Sequence, residues 1–80
     1  MSDPLREVRA VLAAELSGEL TGTALVKRCT EVVRLLRSID VPHEVWHYLS
    51  DADIRVRDRE YAKVQLGVIK GLLSEGSEGP

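Results

Sequence analysis

The residues best suited to chemistry lie mid-chain, where His43-Glu44-Val45-Trp46-His47 spells H-E-x-x-H. Histidines four apart share one face of a helix, a turn from each other, and both can reach a single tetrahedral metal such as zinc. A glutamate between them can take a proton from a metal-bound water. The chemistry on offer is metal binding by His43 and His47, or metal-assisted hydrolysis with Glu44 as the base. Cys29 is the only cysteine. It falls on an apolar stretch and reads as a small buried hydrophobe, not a nucleophile.

Letter for letter, the pentapeptide resembles the signature of the zinc metalloproteases. The resemblance implies His43 and His47 as zinc ligands and Glu44 as general base, and it covers five residues. The chain departs from the family's pattern at three points. Pro42 directly precedes the first histidine, and no third histidine exists, so that Glu60, Asp51 or Asp53 would have to serve at unfamiliar spacing. No sheet-forming segments are evident to hold a peptide substrate. The helix that must carry the motif adds a further constraint. Pro42 opens it, and Val45, Trp46, Tyr48 and Leu49 occupy one broad side, with the two histidines turned about 150–180° away. Burying the apolar side leaves the histidines in solvent, without the cavity a catalytic zinc needs. The reading is therefore of a non-enzymatic chain with no catalytic residue and no cofactor. Zinc at His43 and His47, including zinc held between subunits or serving a minimal hydrolase, is the alternative.

Composition narrows the function classes. The 80 residues carry 11 Lys+Arg against 13 Asp+Glu, a net charge of −2, where a dedicated nucleic-acid or membrane-surface binder would show a basic excess. No apolar run approaches the ~18–20 residues of a bilayer span, and Met1-Ser2-Asp3-Pro4 lacks the basic-then-apolar order of a signal peptide. A single cysteine excludes an intrachain disulfide and fits a cytoplasmic, reducing setting. Apolar residues make up 44%, with Trp46, Tyr48 and Tyr61 as the only aromatics.

The apolar residues recur at helical spacing almost throughout, which predicts an all-α chain: a small bundle of three to four helices in one domain over residues 1–73, then a short disordered polar tail over 74–80. Asp3-Pro4 opens a first helix whose narrow stripe is Leu5, Val8, Leu12 and Leu16, leaving Arg6, Glu7, Arg9 and Glu15 in solvent. A second helix runs roughly from Thr23 to Ser38. Its apolar arc (Leu25, Val26, Cys29, Val32, Val33, Leu35, Leu36, Ile39) covers close to half the circumference and marks it as central. Ser50-Asp51-Ala52-Asp53 has the form of a capping box. Residues 54–59 alternate apolar and charged, but a lone strand has no partner, so loop or helix is expected unless another subunit pairs with it. From Asp58 a last helix carries two stripes: Tyr61, Val64, Val68 and Leu72 beside Ala62, Leu66, Ile69 and Leu73.

Charged clusters give weaker leads. Arg55, Arg57, Arg59 and Lys63 interleave with Asp51, Asp53, Asp58 and Glu60 and read as a solvated mixed-charge face. Lys27, Arg28, Arg34 and Arg37 make the second helix locally basic and keep a helical DNA-binding regulator as a further alternative. That helix is core, however, so no nucleic-acid residue is assigned. Gly67 and Gly71, four apart inside the last helix, suggest a close backbone approach. The arcs of the second and last helices are wider than a monomer this small easily hides, and exposed apolar patches mark partner sites. The expected function is a protein–protein interaction or regulatory module, most simply a homo-oligomer, using Trp46, Tyr61, Val64, Val68 and Leu72.

Overall fold

A computed structural model describes residues 5–77, with side chains through Leu73. Five helices follow one another: α1 (Arg6–Ser17), α2 (Gly22–Leu35), α3 (His43–Ser50), α4 (Ala52–Arg57) and α5 (Arg59–Ser77). The described residues contain no strand. The all-α reading therefore holds, with one helix more than expected. The extra element is α4, formed by the stretch whose alternation imitates a strand. With no partner strand to satisfy its backbone, the segment bonds along itself, and the Arg55 N–H donates to the Asp51 carbonyl at 3.0 Å.

The joints follow from local chemistry. Gly18 takes the left-handed conformation (φ 84°) that ends α1, and the N–H groups of Glu19 and Leu20 fold back onto the Ala14 carbonyl. Leu20 tucks that turn against the core. Asp51 is shared by α3 and α4, ending one and beginning the other, but its side chain caps neither. The capping-box form of Ser50–Asp53 is thus not used as one. Asp58 breaks the helical path with extended backbone (φ −127°, ψ 103°), and its carboxylate accepts the Tyr61 N–H at 3.1 Å, opening α5. The Asp3-Pro4 start and the tail's last residues, 78–80, lie outside the described residues. α5 itself continues to Ser77, inside the stretch read as tail.

The core draws on every helix. Val8, Val11 and Leu12 of α1 meet Leu25, Cys29 and Val32 of α2, Val45, Tyr48 and Leu49 of α3, Ala52 of α4, and Ile69 and Leu73 of α5. α2 packs against α1, α3 and α4, which makes it central as its wide arc predicted. The arc is narrower than the sequence suggests, because Leu35 (59%) and Ile39 (37%) stay exposed where the helix ends early and the chain turns away. In α1 the stripe bends: Leu16 is half exposed, and the inward position one turn beyond Val11 and Leu12 belongs to Glu15. The two stripes of α5 part company. Ile69 and Leu73 are buried, whereas Val64 (68%) and Val68 (54%) remain in solvent.

Truncation should separate these classes. Ile69→Ala is expected to cost about 2–4 kcal/mol of unfolding free energy, and Leu35→Ala less than about 0.5 kcal/mol. Urea denaturation followed by circular dichroism measures both; equal losses would contradict the burial pattern.

Candidate functional site

Two polar constellations flank α3. The inner one is built on Arg55, which is 3% exposed. This corrects the reading of Arg55 as part of a solvated face with Arg57, Arg59 and Lys63. One turn of α4 places Arg55 three residues after buried Ala52, hence on the inward side, while Val56 points outward at 44% exposure. The guanidinium is gripped from several elements. Its Nε donates to Glu15 Oε2 at 2.9 Å and its Nη2 to Glu15 Oε1 at 3.0 Å, a two-point ion pair across α1 and α4. Nη1 donates to the Tyr48 carbonyl and, at 2.7 Å, to Gln65 Oε1 of α5. The guanidinium carbon also sits 4.1 Å from the Tyr48 ring centre. Glu15, expected in solvent, is accordingly turned inward, with its side chain 9% exposed.

This arrangement holds its neighbours in unreactive forms. Burial pushes the Tyr48 hydroxyl above the usual phenol range, and its hydrogen bond to Glu15 (2.8 Å) adds to the shift. Burial likewise raises the Cys29 thiol; nearby Arg55, 3.9 Å from the sulfur, opposes the rise without overturning it. Cys29 is fully buried and lies where the sequence put it, a protonated small hydrophobe. A cleft of about 270 Å³ reaches this pair from outside, with Thr21, Gly22 and Arg59 on its rim.

The outer constellation faces α5. Tyr61 Oη donates to Asp51 Oδ2 at 2.5 Å, and Gln65 Nε2 donates to the same oxygen at 3.1 Å. The Tyr61 hydroxyl, helped by the Gln65 amide, holds the Asp51 carboxyl below its ordinary range despite partial burial; the carboxylate in turn raises Tyr61. Gln65 touches both Arg55 and Asp51 and so ties the inner and outer sets to one helix. Tyr61, expected as an interface anchor, thus has its polar tip engaged within the chain. Trp46 and Leu72 are half-buried and pack against the core. Of the expected interaction residues, Val64 and Val68 stand out into solvent.

Between α3 and α5 runs a groove of about 210 Å³, lined by Glu44, His47, Tyr61, Val64, Val68 and Ile69, with Gln65 beside them. His43 and His47 are exposed on α3, opposite its buried face, as the wheel requires. Their ring centres are 5.0 Å apart with planes tilted by 41°. Among the described residues no three His, Cys, Asp or Glu side chains gather in a metal-holding cluster, so the zincin-like motif finds no third ligand within the described chain. The basic residues of α2 are partly neutralised, since Arg28 pairs with Glu7 at 2.6 Å and Glu31 at 3.2 Å. Comparison with known protein families, curated proteins and solved structures finds no match to this chain.

Two measurements test the site. Glu15→Ala strands a buried guanidinium and should cost about 3–5 kcal/mol, while Arg55→Met combined with Glu15→Leu should recover part of that loss, less about 1–3 kcal/mol because the buried Tyr48 hydroxyl loses its acceptor; chemical denaturation of the two variants beside the unsubstituted chain decides it. Asp51 has a folded pKa below its unfolded value, so its contribution is present above the unfolded pKa and disappears as pH falls through the folded one. Stability should therefore drop on acidification below about pH 4, and Asp51→Asn should flatten that part of the profile.

Proposed function

We propose that this chain is a small non-catalytic helical interaction module that self-associates, two copies pairing through the outer face of α5. Exposed Val64 and Val68, set beside Gly67 and Gly71 on the side of the helix turned away from Ile69 and Leu73, carry the reading. Glycine inside a helix costs about 1 kcal/mol relative to alanine. Among the described residues, a Cβ added at Gly67 or Gly71 would meet nothing within 4 Å, so no described neighbour requires either glycine. A helix docking from outside would gain close backbone approach at both. Antiparallel self-pairing about a two-fold axis between Gly67 and Val68 sets Val64 over Gly71 of the second copy, and Val68 over its Gly67. Each valine then fills a hollow where a backbone lacks a side chain. The surface is complementary to itself, which is what a closed two-fold dimer needs.

The competing readings have less support. A hydrolase at His43, Glu44 and His47 wants a third ligand and an enclosed cavity, and the described residues bring neither to the pair. A DNA-reading helix must be free to enter a groove, yet α2 is packed on three sides. No described helix is long and apolar enough to cross a membrane. A cytoplasmic setting completes the reading, since it keeps the lone Cys29 thiol reduced.

Light scattering coupled to size exclusion should give the mass of two chains at micromolar concentration, with Val64→Asp returning a folded monomer. Gly71→Leu should weaken association while raising the stability of the dissociated chain by roughly 0.5–1 kcal/mol. A wild-type chain that stays monomeric at that concentration would overturn the proposal.

A further inference from the structure

We infer that His43 and His47 form half of a zinc site, and that two chains complete it by bridging one ion across their shared seam. The inference rests on the antiparallel α5 pairing proposed above. Within one chain the pair is already spaced for a metal. With Zn–N of about 2.0–2.1 Å and a ring centre a further ~1.2 Å beyond the nitrogen, two imidazoles on a tetrahedral zinc have centres about 5 Å apart. His43 and His47 stand at 5.0 Å. Both side chains are exposed, and neither imidazole takes part in a hydrogen bond among the described residues, so a nitrogen lone pair on each is available for a ligand. Among the described residues one chain brings these two ligands together and no third, whereas a closed zinc site uses four.

Symmetry supplies the other two. His47 lines the α3–α5 groove beside Val64 and Val68, the two valines that flank the axis of the paired helices, and the His43 ring stands 5.0 Å from that of His47. A two-fold axis that reverses α5 and stacks it face to face on its copy leaves both α3 helices on the same side of the seam. The two His43/His47 pairs then approach each other across the seam, and four imidazoles surround one position. Parallel pairing would carry the two α3 helices to opposite sides and keep the pairs apart. Zinc is the ion best matched to four neutral imidazoles in a tetrahedral set, and each must be deprotonated to bind it.

The experiment uses the full chain, stripped with a chelator and titrated with zinc sulfate, with metal content measured by equilibrium dialysis and mass by light scattering. The expected result is a dimer in chelator, one zinc per two chains, and a dimer dissociation constant lowered about tenfold or more by zinc. Cobalt in place of zinc should give the intense visible absorption of a tetrahedral site. His47→Gln, an exposed substitution, should abolish zinc uptake and the tightening but leave the dimer seen in chelator. A dimer that binds no zinc, or binds one ion per chain, overturns the bridge and spares the self-association reading. A chain monomeric with and without zinc overturns both. Zinc-driven dimers that persist in Val64→Asp overturn the shared seam.

Discussion

Burying the Arg55 guanidinium is the constraint around which this small fold is arranged. A lone buried charge is costly, and the chain offsets it by surrounding Arg55 with a carboxylate from α1, a carbonyl and ring face from α3, and an amide from α5. Each partner comes from a different element, so satisfying one side chain fixes how four helices sit against one another. An apolar residue of the same size would take from Glu15 and Gln65 the hydrogen bonds that tie α4 to α1 and α5. A buried pair of this kind adds little net stability, because the cost of desolvating both charges offsets most of their attraction.

The rotation of α5 follows from that arrangement. Gln65 must face inward to reach Arg55 and Asp51, and Tyr61 must lie one turn before it to reach the same carboxylate. With those two positions held, Ile69 and Leu73 fall into the core, and Val64, Gly67, Val68 and Gly71 fall on the opposite side. The open apolar face of α5 is thus not a remainder of poor packing. The rotation that brings Gln65 and Tyr61 to their partners and buries Ile69 and Leu73 is the one that turns this face outward. The same contacts set α3 beside α5 and open the groove in which His47 stands.

Much of the candidate site was legible in the residue pattern, and the illegible part has one cause. The wheel of α3 correctly turns His43 and His47 outward because Val45, Tyr48 and Leu49 outweigh them on the other side. The width of the α5 stripes signals more apolar surface than one chain covers. Arg55 and Glu15 escaped because reading by hydropathy assigns every charge to solvent. One signal was available: Glu15 continues the inward line of Val8 and Leu12, and Arg55 lies three positions after Ala52. Opposite charges at two inward positions can serve as partners. Their pairing is visible only if 52–57 is read as a helix, and the alternation of Ile54, Val56 and their charged neighbours argues locally for a strand.

By itself the sequence determined the helical class, the approximate span of four helices, the central place of α2, the burial of Cys29 and the outward posture of the two histidines. These depend on periodicity and on local chemistry such as Gly18 and Asp58, which act over a few residues and need no knowledge of the rest of the chain. The tertiary structure alone decided which charge goes inside, which stripe of α5 faces the core, and that Gly67 and Gly71 answer to no neighbour among the described residues. Those outcomes turn on contacts between residues ten to forty positions apart. Burial of a charge is decided by whether a partner arrives from another element, and no local pattern encodes that arrival.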